Sequence, residues 1–105
     1  MIVKIWQLDH TIGEAENLLF RDYDFAKRKY PNKNELLKLY KLVYEINDYE
    51  SKTMDKSNKS ILNDIFTDFN IARPEDFKGH SLSVSDIIQL DDDYYYVDSF
   101  GFAEV

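Results

Sequence analysis

Residues 79–102 read GHSLSVSDIIQLDDDYYYVDSFGF, and the reading of the fold starts there. Two apolar runs, IIQL (87–90) and YYYV (94–97), lie on either side of Asp91-Asp92-Asp93. Runs of β-branched and aromatic residues separated by a short polar stretch predict a hairpin, here without the Asn-Gly or Asp-Gly pair of the strongest turns. Gly101 interrupts the aromatic continuation, where a bulge or bend is the usual reason. A hairpin of this kind needs other elements to cover it, and the preceding chain supplies them.

IVKIWQL (2–8) is apolar and β-branched, and it predicts an opening strand. Thr11 followed three residues later by Glu14 reads as a capping box. Leu19, Tyr23, Ala26 and Tyr30 then recur at helical spacing before Pro31, so a helix is expected over about 14–29. Its early acids and the late Lys27-Arg28-Lys29 suit the helix dipole. Residues 34–47 fit two templates. Tyr40, Leu42, Tyr44 and Ile46 alternate as in a strand, while Leu36, Leu37, Tyr40, Val43 and Tyr44 form a helical stripe with Asn32 and Glu35 as a cap pair. The cluster of Val, Tyr and Ile favours a strand near 39–46. NDYESKTMDKSN (47–58) reads as a loop, and Ile61, Leu62, Ile65, Phe66 and Phe69 predict a helix over 59–69 capped by Ser57 or Asn58. The order β-α-β-α-β-β implies a single α+β domain over residues 1–105: a small, largely antiparallel sheet with two helices packed on one face.

The composition agrees with one folded domain. Apolar residues make up 44% of the 105, and aromatics 15%, enough to build a core without a metal or disulfide. The absence of cysteine excludes thiol chemistry and cysteine metal sites. No stretch approaches the roughly 18 apolar residues that a membrane-spanning helix needs, and a soluble, cytoplasmic protein is expected. Of the net charge of −7, residues 1–70 contribute −1 and residues 71–105 contribute −6. An acidic face of this kind repels phosphate backbones and attracts basic surfaces, which disfavours direct nucleic-acid binding.

His80 and His10 are seventy positions apart with no ligand spacing between them, so no metal is expected. Ser83, His80 and Asp86 contain the residue types of a catalytic triad. In an extended segment, however, Ser81, Ser83 and Ser85 point one way and Asp86 the other, a poor arrangement for a relay. Short hydroxyl side chains also serve as backbone-bonding turn residues. Asp91, Asp92 and Asp93 lack the spacing of a calcium loop, and the glycines at 13, 79 and 101 form no phosphate loop. No catalytic residue, cofactor or metal is therefore expected. Recognition is the better reading, with Asp86, Asp91, Asp92, Asp93, Tyr94, Tyr96 and Asp98 as candidate contacts to a protein partner with a basic surface.

The run Gly79-His80-Ser81-Leu82-Ser83-Val84-Ser85-Asp86, with Tyr95-Tyr96-Val97-Asp98-Ser99-Phe100-Gly101-Phe102, resembles the defining motif of the YodL-like domain family of Gram-positive mobile elements. Within that motif Gly79, His80, Ser81, Ser83, Ser85, Asp86 and Gly101 carry the likeness, as structural or recognition residues. The resemblance implies no established catalysis. It implies accessory cargo of a mobile element, for which an inhibitor of a host defence nuclease of the anti-CRISPR type is the leading expectation. An accessory domain of conjugation machinery is the alternative, and a small hydrolase using His80, Ser83 and Asp86 ranks last.

Overall fold

The computed structural model describes residues 1–50, 54, 57–71 and 73–105. Strands β1 (Val3–Leu8), β2 (Tyr40–Ile46), β3 (Ile87–Leu90), β4 (Asp93–Val97) and β5 (Phe102–Glu104) form one sheet in the order β2-β1-β3-β4-β5. Every neighbouring pair is antiparallel, as expected for the α+β class. The β3–β4 hairpin forms with Leu90 opposite Asp93, leaving Asp91 and Asp92 as its turn. Beyond it, Gly101 (φ 74°) bends the chain so that β5 returns along β4. No helix among the described residues is long and apolar enough to cross a membrane.

Both faces of the sheet are covered. Val3, Ile5, Ile88, Leu90, Tyr95 and Val97 share one face and pack against Ile61, Leu62, Ile65 and Phe69 of helix α3 (Asn58–Ile71). Each such side chain contributes roughly 1.5–3 kcal/mol when fully buried. The alternate residues Ile87 and Tyr96 face the other way, toward Ala15 and Leu18 of a 3₁₀ helix (Gly13–Leu18), Ala26 of α1 (Tyr23–Lys29) and Leu36 of α2 (Lys33–Leu37). The helices therefore lie on opposite faces, correcting the expected packing on one. A helical stripe shows that a face is apolar, not which side of a sheet it meets. The informative signal is in β3, whose four residues are all buried, as in a strand covered on both sides.

The expected helix over 14–29 is two short pieces, broken at Leu19–Asp22. Phe20 takes a left-handed conformation (φ 63°) there, and its N–H donates to Ser85 Oγ at 3.2 Å. Tyr96 Oη donates to the Arg21 carbonyl at 2.8 Å. Asp22 caps α1 by accepting from Phe25 N. The expected capping box at Thr11 is absent, because Thr11 donates both its N–H and its hydroxyl to Asp9. Residues 34–47 contain both of their possible structures in sequence: α2, capped by Asn32, and then β2. Ser57 Oγ accepts from Ser60 N at the start of α3, the capping expected of it. The expected loop over 47–58 lies partly outside the described residues.

Candidate functional site

The segment 79–86 folds as a loop, not as an extended strand entry, and the residues that were to point apart come together. Asp86 N donates to the Ser83 carbonyl at 3.1 Å across a turn in which Ser85 has φ 86°. That turn brings the Asp86 carboxylate back over the loop, where Oδ2 accepts from Ser83 N (3.0 Å) and Gln7 Nε2 (3.2 Å). His80 Nε2 lies 3.9 Å from Asp86 Oδ1. Gln7, 2% exposed, is the organiser that sequence reading missed: its amide also donates to the His80 carbonyl at 2.8 Å. It sits in the same strand phase as Val3 and Ile5, so its place among core residues was readable. Gly79 packs beside it, and a Cβ there would overlap the Gln7 side-chain oxygen, so that side chain would have to shift.

Burial pushes the Asp86 carboxyl up to about 7, against the opposing effects of the Ser83 amide, the His80 ring and the Gln7 amide. His80 Nδ1 lies 2.7 Å from the Ser81 carbonyl, to which it donates, and Nε2 is directed at Asp86. Ser83 Oγ is buried without a hydrogen-bond partner. Ser85 is structural at three atoms: its N–H donates to Val97 O, its hydroxyl accepts from Phe20 N, and its carbonyl accepts from Tyr40 Oη at 2.6 Å. Burial and the nearby Tyr96 and Asp86 charges raise the Tyr40 phenol well above its ordinary value, so it stays a donor. The motif thus ties β1, β2, β4 and the Leu19–Asp22 break together. A serine nucleophile is hydrogen-bonded to its base, and Ser83 Oγ has no hydrogen-bond partner.

The candidate partner residues divide by exposure. Asp91, Asp92 and Asp93 stand in solvent at the β3–β4 turn. Asp91 takes φ 52°, and its Oδ1 accepts from Ile2 N at 2.8 Å, so it also fastens the turn to β1. Tyr94 is half-buried, with the Lys33 ammonium 4.7 Å from its ring centroid. Tyr96 is fully buried and Asp86 is 1% exposed, which removes both from the contact surface. Asp98 Oδ1 accepts from Tyr23 N and Ser99 N, holding the start of α1. The register adds two carboxylates that sequence reading missed. Tyr49 N donates to Met1 O, which places exposed Asp48 and Glu50 at the same end of the sheet as the β3–β4 turn. Among the described residues no three His, Asp or Glu side chains converge as a metal site requires.

A family model described as the YodL-like domain matches residues 2–105. No curated protein and no solved structure matches the chain.

Proposed function

The chain belongs to the YodL-like domain family, and from that premise we propose that it is a non-enzymatic binding protein that docks a basic surface of another protein through the acidic end of its sheet. The observation that carries this reading is the gathering of Asp48, Glu50, Asp91, Asp92 and Asp93, all exposed, at one end of a five-stranded frame. The strand ends, with the Tyr49–Met1 and Ile2–Asp91 hydrogen bonds, fix the backbone that carries these carboxylates, which limits the ordering entropy lost on docking. Their shared sign steers a cationic partner and rejects acidic ones. The hydrolase reading is weaker because the Ser83 hydroxyl is buried and hydrogen-bonded to no base.

The partner whose chemistry fits best is the basic nucleic-acid channel of a host defence nuclease, blocked as an anti-CRISPR protein would block it. The test is affinity capture of the tagged chain, under nuclease treatment, from a Gram-positive host carrying a CRISPR system. A cleavage assay on the captured effector follows. Stoichiometric recovery of the effector, with cleavage suppressed on addition of the chain, is expected. Recovery of conjugation proteins, or undiminished cleavage by a captured effector, would overturn the inhibitor reading.

A further inference from the structure

The opposite end of the sheet holds a cavity of the opposite character. A cavity of about 440 Å³ opens between the end of β1, the start of β2 and the loop at 78–80. His10, Lys41, Lys78 and His80 line it, and no Asp or Glu does, in a chain of net charge −7. Neither Lys41 nor Lys78 forms an ion pair among the described residues, whereas Lys4 and Lys38 each pair with a glutamate. Two acids lie behind the lining: Asp86, buried, with Oδ1 3.9 Å from His80 Nε2, and Asp9, whose carboxylate accepts the Thr11 N–H and hydroxyl and is held below the usual range chiefly by those two bonds.

The walls are preformed. Gln7 lies opposite Lys41 in the β1–β2 register and pins the His80 backbone. Phe77, stacked edge-on against Tyr44 and Phe69, anchors the loop just before Lys78. Leu42 and Val43 supply an apolar side. A lysine on an edge strand such as β2 also discourages strand addition. That role does not extend to Lys78 or His10, which lie off the strands.

We infer that this cavity is a binding site for a small phosphorylated molecule, its phosphate held between Lys41 and Lys78 and its organic body resting on Leu42 and Val43. Two ammonium groups are point-charge donors suited to a phosphate. The volume lies in the range of small-molecule pockets and exceeds what a bare anion fills.

The test is an amide-resolved NMR titration of the full chain with adenosine 5′-monophosphate, ribose 5-phosphate and inorganic phosphate, with adenosine as the uncharged control. Saturable shifts at Lys41, Lys78, Gly79 and His80 are expected with one or both phosphate esters. Adenosine and inorganic phosphate should bind at least about tenfold more weakly. Lys41→Gln with Lys78→Gln should weaken the ester by a similar factor at unchanged melting temperature. Absence of saturable shifts with both esters, or equal affinity in the double variant, would overturn the site. Charge reversal at Asp92 and Asp93 should leave this titration unchanged, so its outcome is independent of the docking proposal.

Discussion

Asp86 combines 1% exposure with a carboxyl raised to about 7, and this makes the stability of the domain depend on pH in a definite direction. An ordinary aspartate releases its proton near 3.8 when the chain unfolds, whereas the folded chain retains it to higher pH. The buried acid therefore contributes stability that is fully present below about 4 and lost as pH rises through about 7. Asp86→Asn keeps an acceptor for Ser83 N and has no proton to lose. In urea melts, its stability relative to the parent should improve by about 2–4 kcal/mol between pH 4 and 8; parallel curves would contradict the assignment. Gly79→Ala should cost about 1–3 kcal/mol, because the overlap falls on a glutamine fixed by its own hydrogen bonds. The convergence of His80, Ser83 and Asp86 was not legible in the sequence. A period-2 reading puts Asp86 on the far side, and one residue at φ 86°, Ser85, cancels it. Gln7 was legible, since it continues the Val3–Ile5 phase.

Strands β1 to β4 and α3 were readable because their signals are local: β-branched runs, the cap at Ser57 and a repeated apolar stripe; β5 was not, because Gly101 read as a bulge or bend within one continuing run. The break in the N-terminal helix was not, because long-range hydrogen bonds make it. Phe20 bonds to Ser85, Arg21 to Tyr96 and Tyr23 to Asp98, across 65 to 75 positions. Asp98→Ala removes the acceptor at the start of α1 and should destabilise the domain by about 1–2 kcal/mol. Hydrogen exchange should quicken first in α1 amides. An unchanged exchange profile would return Asp98 to the contact surface. Gly101→Ala meets no neighbouring atom but must hold φ 74°, a backbone cost of about 1–2 kcal/mol. That loss should appear as weakened protection in β5, read by the same exchange experiment.

Seen whole, the sheet has an acidic end and, at the other, a cavity lined by cationic side chains. Sequence reading located the excess charge in the last third of the chain, but sequence distance hid its partners. Asp48 and Glu50 join the β3–β4 turn only because β2 and β1 pair with Val3 opposite Ile46. The same register brings Lys41 opposite Gln7, and with it the cationic cavity that linear charge counting averages away. Asp91 is unsuited to a charge-reversal test of docking because it secures Ile2; Asp48, Glu50, Asp92 and Asp93 are the carboxylates to reverse. The most direct measurement is the affinity of that fourfold lysine variant and of the parent for the captured effector nuclease, at about 50 and 300 mM salt. The parent should bind tightly at low salt and weaken as salt rises, and the variant should lose about ten- to a hundredfold at low salt with its fold intact. Equal affinities, or a parent insensitive to salt, would contradict docking through the acidic end.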